Sequence, residues 1–571
     1  MPRVFLPAIL SGVLLWTAFF PLDLGALGFV ALVPWLMLVR APVSRRRRYL
    51  AAYTGGFVFT VLATNWVRVA HPMMYLSWLA FSLVLPLFWV LALDLIRRLD
   101  RLGVPLALAV PVVWVSLEYM RMHFPTGYPF LKPLGLYQMV GFGWYFLGYT
   151  QHAFLPLIQI ADLGGVYAVS FIVAAVNGAV ADWALRSMRV REWLHWNSGA
   201  DPVSGKMGGG WGRPAIASLA VLALTGASVA YGYSRLQHPE FTPGPRVAAI
   251  QGSVPQDEKN AKGVSLGQTY GLLYQIALDS EPRLDLAVWP ETCYPADWVE
   301  VAPGELPSKE FADMAAEAWQ EFRSRRPRVP TLLGLNGLVW EDGRAWKYNS
   351  AVLLSPRDPF STRYDKMHLV PFGEYVPFGE TLPFMRWFTP YEGDYSCRPG
   401  THWTRFPLST ADGRAFTFAC LICYEDSDPY LARQYVTGDA VNFFVNLSND
   451  GWFDGTEEHE QHLAICRFRA IEARRSIVRS VNMGISAVID PDGRVVELPM
   501  KVDEHGRPTI PCNSWSGSKK VEGVVAATIP IDTRQSLYAR LGDWVAAMCW
   551  AAVLIGVVGA AMRRSVAGTR T

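Results

Sequence analysis

Three short stretches carry residue types that could carry out acyl transfer together. Phe416-Thr-Phe-Ala-Cys-Leu-Ile422 is an apolar, β-prone run that turns polar at Cys423-Tyr424-Glu425-Asp426, as a buried strand does where it ends in a turn. Leu284-Asp-Leu-Ala-Val-Trp-Pro-Glu291 ends a second such run on an acid, and Tyr364-Asp-Lys366 places a lysine after a strand, with Glu374 beyond it. A cysteine thiolate attacks a carbonyl carbon, and a carboxylate takes the thiol proton as general base. An ammonium group favours the thiolate and stabilises the oxyanion that follows. Cys423 is therefore the candidate nucleophile, Glu291 the base, and Lys366 the thiolate and oxyanion stabiliser. Each stretch also has a plainer reading. A lone cysteine is commonly a small core hydrophobe, which is how Cys420 reads, and Glu291 with Lys366 could be an ordinary ion pair.

The elements needed to position these residues are legible around them. Strands are expected at Val247–Gly252, Leu284–Glu291, Thr331–Leu335, Asn349–Leu354, Phe416–Ile422, Val441–Ser448, Ser486–Ile489 and Gly523–Ile529. Helices are expected at Asp313–Arg325 and His462–Arg475. Strands alternating with helices predict an α/β domain, a layered sandwich. Asn449, Asp450 and His462 read either as support for the site or as residues that shape the end of the sheet, the structural role being the plainer one. Lys501–Ser518, with its Pro, Gly and Ser, reads as a loose surface loop, and Glu300–Pro330 is long and Arg-rich near its end.

The rest of the 571-residue chain is oilier than a soluble protein. Hydrophobic residues make up 51% and charged residues 18%, and the mean hydropathy is +0.17. Apolar runs of near-spanning length lie at Val4–Phe20, Leu24–Val39, Leu50–Val69, Tyr75–Ile96, Val104–Met122, Ile160–Leu185, Ala215–Tyr233 and Leu541–Met562, which predicts an all-α bundle of about eight transmembrane helices. Basic residues follow alternate runs: Arg40 and Arg45–Arg48, then Arg97, Arg98 and Arg101, then Arg186, Arg189 and Arg191, then Arg563 and Arg564. By the positive-inside rule both termini are cytoplasmic and the segment between the last two spans is outside. The domains expected are residues 1–239 in the membrane, 240–535 as the extracytoplasmic catalytic domain, and 536–571 as a last span with a cytoplasmic tail. Among the polar residues in or beside these runs, Asp94 and Asp182 reach the interface, whereas Glu118 is the better candidate for a structural or substrate role. A net charge of +3 gives no signal for nucleic acid. Seven cysteines without paired CxxC or histidine spacing give none for zinc.

Two aromatic stretches stand out. Phe124–Tyr149, which includes Trp144 and Tyr145, is either a platform that receives lipid or a general interfacial belt. Phe372–Tyr395, which includes Phe372, Tyr375, Trp387 and Phe388, follows Lys366 directly. It is either an arm that covers a thioester against water or a seam between the domain and the membrane.

Trp-Pro-Glu291, Lys366-Met-His-Leu-Val-Pro-Phe-Gly-Glu374 and Ile422-Cys-Tyr-Glu425, followed by Leu447-Ser-Asn-Asp-Gly-Trp-Phe453, together resemble the nitrilase (carbon–nitrogen hydrolase) superfamily. With the flanking spans, and with Gly148-Tyr-Thr-Gln151 and Gly164-Gly165, the whole chain resembles the apolipoprotein N-acyltransferase family. The resemblance implies an αββα nitrilase-like sandwich on eight transmembrane helices, with a triad of Glu291, Lys366 and Cys423. Glu374, Tyr424 and Glu425 would support the triad, and Phe372, Tyr375, Trp387, Phe388, Trp144 and Tyr145 are assigned to substrate. It implies ping-pong transfer, through an enzyme thioester and with no metal or cofactor, from a phospholipid to a lipoprotein's lipid-modified N-terminal cysteine. It also implies a monomer in the bacterial plasma (inner) membrane. The alternative is a membrane-anchored nitrilase-like amidase acting on a small amide. Where members of the family often carry Trp after Val254-Pro-Gln256, this chain has Glu258-Lys259-Asn260.

Overall fold

From Thr242 onward, short β-prone runs separated by helices build two β-sheets. The structure is a computed structural model that describes residues 3–568 apart from 135, 137, 196–211, 261–263, 280–282, 325, 357–361, 390–394 and 504. The chain divides into two units. One comprises Met1–Arg68, Met74–His238 and Leu541–Thr571, and the other Val69–Met73 and Pro239–Arg540.

In the second unit the strands are β1 (Thr242–Gln251), β2 (Leu286–Val288), β3 (Trp298–Val301), β4 (Thr331–Glu341), β5 (Arg344–Leu354), β6 (Thr362–Asp365), β7 (Phe406–Ser409), β8 (Ala415–Ile422), β9 (Phe443–Ser448), β10 (Ser476–Val481), β11 (Ala487–Ile489), β12 (Val495–Glu497), β13 (Met500–Val502), β14 (Pro508–Pro511) and β15 (Gly523–Ile531). Nine form one sheet, in the order β14-β13-β15-β1-β2-β4-β5-β6 with β3 beside β4. Six form the other, in the order β12-β11-β10-β9-β8-β7. Alternate residues send one face of each sheet inward. Val247, Leu286, Leu332 and Leu353 from the first sheet share one buried cluster with Phe418, Phe443, Val445 and Ile477 from the second. The opposite face of the first sheet, through Ala248 and Ile250, packs on Leu266, Tyr270 and Leu273 of the helix Val264–Leu278 and on Phe322 of the helix Lys309–Ser324. The helices Pro429–Gln434 and Glu458–Ala473 pack on the second sheet and contribute Leu431, Ala432, Leu463, Cys466 and Ala470 to the same buried cluster. The layering is the expected αββα sandwich. Lys501–Ser518, expected to be a loose loop, instead supplies β13 and β14, which extend the nine-stranded sheet through β15. Backbone pairing on a sheet edge overrides the local Pro and Gly signal there.

The first unit is all helical. Its longer helices are Phe5–Thr17, Arg45–Ala63, Met74–Val84 with Pro86–Arg101, Leu106–His123, Ala161–Ala184, Gly212–Gln237 and Trp544–Gly568. Among the described residues, three are long and apolar enough to cross a membrane: Met74–Arg101, Ala161–Ala184 and Gly212–Gln237. The expected eight spanning helices are therefore not all present as such. Phe5–Thr17 has 13 residues, about 20 Å of helix against a hydrocarbon core of about 30 Å. Arg45–Ala63 opens on four arginines and Leu106–His123 carries Glu118 and Arg121. The second expected span is broken into a 3-10 turn at Gly25–Phe29, a four-residue helix at Val33–Leu36 and another 3-10 turn at Met37–Val39.

That broken segment explains a polar residue. Asn177 Nδ2 donates to the Gly28 carbonyl at 2.8 Å, and its Oδ1 accepts the Leu32 N–H at 2.9 Å. Backbone groups without helical partners must be satisfied inside the protein when no water is present. Asp182 does the same for Leu106 N–H at 2.8 Å while pairing with Arg40 at 3.0 Å. Glu118 accepts from Trp114 Nε1 at 3.0 Å and Leu147 N–H at 2.6 Å, a structural role. Ala161–Ala184 is kinked at Gly164 and Gly165, where Gly165 has φ +67°, a conformation that favours glycine.

Candidate active site

The three candidate residues each leave the C-terminal end of a strand. Glu291 follows β2, Lys366 follows β6 and Cys423 follows β8. β2 and β6 belong to one sheet and β8 to the other, so the site lies where the strand ends of the two layers meet.

The acidic side of the site is tightly built. Lys366 is 1% exposed, and its Nζ lies 2.8 Å from Glu374 Oε2 and 3.3 Å from Glu291 Oε1. Asn349 Nδ2, from β5, donates to Glu291 Oε1 at 2.7 Å and to Glu374 Oε1 at 2.8 Å. Glu374 is held in turn by the Val370 N–H, at 2.8 Å to Oε2. Burial works against the Lys366 ammonium, but the carboxylates of Glu374 and Glu291 outweigh it and hold its pKa well above that of an ordinary lysine. The lysine is a fixed positive charge.

The nucleophile turn is gripped by Glu425. Glu425 is fully buried. Its Oε2 accepts the Ile422 N–H at 2.7 Å, and its Oε1 accepts Met367 N–H at 2.7 Å, His368 N–H at 3.1 Å and Tyr364 O–H at 2.8 Å. One carboxylate thus ties the turn bearing Cys423 to the loop bearing Lys366. Cys423 itself is partly buried and has φ +52°, a left-handed conformation that costs a non-glycine residue about 1–3 kcal/mol and persists where the surroundings enforce it. Burial and the Glu291 charge push the Cys423 thiol well above its usual pKa, while Lys366 pulls the other way. Glu291 and Lys366 thus act on the Cys423 thiol in opposite directions.

The supporting and substrate assignments separate. Tyr424 and Tyr375 are close enough for the charge of one to act on the other, and burial first, then Tyr424, raises the Tyr375 phenol. The Phe372 N–H donates to the Tyr375 carbonyl at 2.8 Å, and the Phe372 and Phe388 rings are 6.1 Å apart. Trp387 is 69% exposed and Phe384 47%, so the tip of this arm carries bare aromatic surface. Trp144 and Tyr145 belong to the other unit and are packed inside it, 4% and 6% exposed. The Tyr145 hydroxyl donates to the Ala63 carbonyl and accepts from Trp66 Nε1 at 2.7 Å. They are buried there and do not form an exposed platform, and Tyr145 lines a cavity with Glu118 and Arg121. Asn349 was not anticipated. Its position inside a β-prone run hides a side chain whose single amide group serves two carboxylates.

The comparisons with known proteins extend over both units. Residues 11–179 match the family model described as apolipoprotein N-acyltransferase N-terminal domain, and residues 246–510 match that of carbon-nitrogen hydrolase. A Geobacter metallireducens protein named apolipoprotein N-acyltransferase is 32% identical over 99% of this chain and 96% of its own length. Proteins of the same name from Rhodopirellula baltica and Bdellovibrio bacteriovorus are 28% and 25% identical, over 95% and 99% of this chain and 95% and 94% of theirs. The chain belongs to the apolipoprotein N-acyltransferase family.

Proposed function

We infer that this chain transfers an acyl chain from a membrane phospholipid, by way of a thioester on Cys423, to the N-terminal amine of a diacylglyceryl-modified apolipoprotein. The observation that carries this reading is the similarity to named N-acyltransferases across the membrane unit and the hydrolase-like unit alike.

In the first half-reaction Glu291 takes the Cys423 proton, and the thiolate attacks the carbonyl carbon of the phospholipid ester. Lys366 balances the oxyanion of the tetrahedral intermediate. Collapse breaks the ester C–O bond, the departing alkoxide takes the proton from Glu291, and lysophospholipid leaves. In the second, the acceptor amine attacks the thioester carbonyl, Glu291 takes the amine proton, and the C–S bond breaks to give an amide and restore the thiol. Glu374 and Asn349 keep Lys366 and Glu291 apart from full neutralisation by holding both carboxylates in place. Phe372, Tyr375, Trp387 and Phe388 form the arm that faces substrate and keeps water from the thioester. No cofactor or metal enters these steps.

The alternation of basic residues supports a multi-pass arrangement of eight membrane segments, some of them interrupted, with both termini cytoplasmic and the catalytic unit outside the plasma membrane. The chain is read as a monomer. An amidase acting on a small amide would use the same three residues, but has no use for a membrane unit of this extent. Incubating the purified protein with phosphatidylethanolamine and a diacylglyceryl-cysteine peptide separates the two. N-acylated peptide supports the transferase, whereas hydrolysis of a small amide with no peptide acylation supports the amidase.

A further inference from the structure

Behind the nucleophile turn lies a set of buried charges that the acyl-transfer steps do not use. β8, β9 and β10 run parallel, and the register pairs Ile422 with Leu447 and Ser448 with Val481. Cys423, one residue past β8, therefore stands beside Ser448, the last residue of β9. An acid follows each strand end, Asp426 after Cys423 and Asp450 after Ser448. Asp426 Oδ1 is 2.8 Å from His462 Nε2 and its Oδ2 is 2.9 Å from Arg479 Nη1. Asp450 Oδ1 is 3.0 Å from His462 Nδ1 and its Oδ2 is 2.9 Å from Arg479 Nη2. The four side chains close a ring, in which Arg479 Nη2 also lies 2.9 Å from His462 Nδ1, and none of the four residues is more than 1% exposed. Ser448 Oγ donates to Asp450 Oδ1 at 2.7 Å, so this hydroxyl stands between the ring and the nucleophile's strand end.

We propose that the ring of Asp426, His462, Asp450 and Arg479 is a positioning element for the nucleophile, fixing the turn that carries Cys423 and setting the charge that its thiolate faces. The proposal rests on the reading of Cys423 as the nucleophile. The left-handed backbone of Cys423 needs enforcement from both sides. Glu425 supplies it before the residue, through Ile422 N–H. After it, Asp426 is locked into the ring, and Arg469 Nη1 donates to the Ser427 carbonyl at 3.3 Å.

The ring also acts on the thiol through space. Four groups face Cys423: the carboxylate of Glu291, the ammonium of Lys366, the carboxylate of Asp450 and the hydroxyl of Ser448. Asp450 opposes thiolate formation and Lys366 favours it, as does the Ser448 hydroxyl when its one proton turns from Asp450 Oδ1 to the sulfur. Glu458, His459 and Cys466, from the helix Glu458–Ala473, face the ring itself, and Lys519 acts on His459 behind it. Burial and Arg479 work against charge on His462, but Asp426 and Asp450 outweigh them and push its pKa up to about 10. Burial, and then Asp450, raise the Glu458 carboxyl. Two carboxylates and two cations thus leave the ring neutral. Asp450, Glu458 and His462 approach within 4.8 Å of one another, but the Arg479 guanidinium already supplies the positive charge among them.

The test is the pH dependence of Cys423 alkylation by iodoacetamide, followed by mass spectrometry on the full-length protein in detergent. It requires neither lipid nor acceptor, so its result is independent of whether a thioester forms. Asp450→Asn removes a negative charge and is expected to lower the alkylation midpoint by about one pH unit, and His462→Gln to raise it by about as much. The double variant is expected to return towards wild type. Should either single variant fail to fold, Ser448→Ala alters no charge and is expected to raise the midpoint. Midpoints that do not move, or that move the same way in Asp450→Asn and His462→Gln, overturn the proposal, even if the melting temperature falls in both.

Discussion

Glu374 Oε2 lies 2.8 Å from the Lys366 ammonium, half an ångström closer than Glu291 Oε1 at 3.3 Å. The lysine's nearer counter-charge is thus Glu374 and not Glu291. In the mechanism proposed above, this division leaves Glu291 able to accept a proton while Lys366 keeps its charge for the oxyanion.

Glu374→Gln tests the division. Breaking a buried ion pair costs roughly 3–5 kcal/mol when the remaining charge is left alone. Because Glu291 remains beside Lys366, a loss of about 1–3 kcal/mol is expected here by the same reasoning, measured as a fall in Tm. The stronger effect is expected in kcat, down at least about tenfold, because Lys366 would draw Glu291 into a direct pair and blunt the base. A Glu374→Gln enzyme with wild-type kcat contradicts this role.

Glu425→Gln keeps the shape of the side chain but discharges the acceptor of four donors. Hydrogen bonds to a charged group contribute about 1.5–3 kcal/mol each at most. The expected result is a fall in kcat with little change in KM, since the residue fixes the Lys366 loop against the Cys423 turn and touches no substrate. A change confined to KM counts against it.

The pH dependence of stability follows from His462. Its folded pKa, about 10, is raised above the unfolded value near 6.5. The folded state therefore holds a proton that the unfolded state has released between those values. The stabilisation is complete below about pH 6.5, declines as pH rises, and is gone above about pH 10. Chemical denaturation of the wild type should show a loss of a few kcal/mol across that window. In His462→Gln the decline should be flatter, and an equally steep one would disprove the assignment.

In the membrane unit, Asn177→Leu leaves the Leu32 N–H and the Gly28 carbonyl without the partners they have now. An unsatisfied buried group costs about 1–3 kcal/mol. The expected outcome is a lower Tm in detergent, with Asn177→Gln intermediate. Unchanged stability of Asn177→Leu would mean that water satisfies the broken segment.

What the sequence made legible was whatever announces itself through apolar patterning. The three candidate residues could be singled out because two of them end an oily run, Val288 before Trp-Pro-Glu291 and Ile422 before Cys423, and the third, Lys366, follows a short β-prone stretch, Thr362-Arg-Tyr-Asp365. The pattern failed where charge is buried by pairing. β10 reads Ser-Ile-Val-Arg-Ser-Val, and its central Arg479 argues against a core strand until Asp426 and Asp450 are seen to neutralise it. It failed likewise at Leu24–Val39, whose uniform hydrophobicity conceals a chain broken into short turns because a side chain on another helix, Asn177, satisfies its backbone. Trp144 and Tyr145 show the opposite difficulty: aromatic residues suit both an exposed interface and a buried position, and the burial of Tyr145 against Trp66 and Ala63 has no signal in the sequence.

The measurement that bears most directly on the whole account is the mass of the protein after exposure to a phospholipid of defined acyl composition, with no acceptor present. The account predicts an adduct of one acyl group, located on the peptide containing Cys423, released by neutral hydroxylamine as a thioester is, and absent from Cys423→Ala. An unmodified wild-type protein, or an equal adduct on Cys423→Ala, would contradict it.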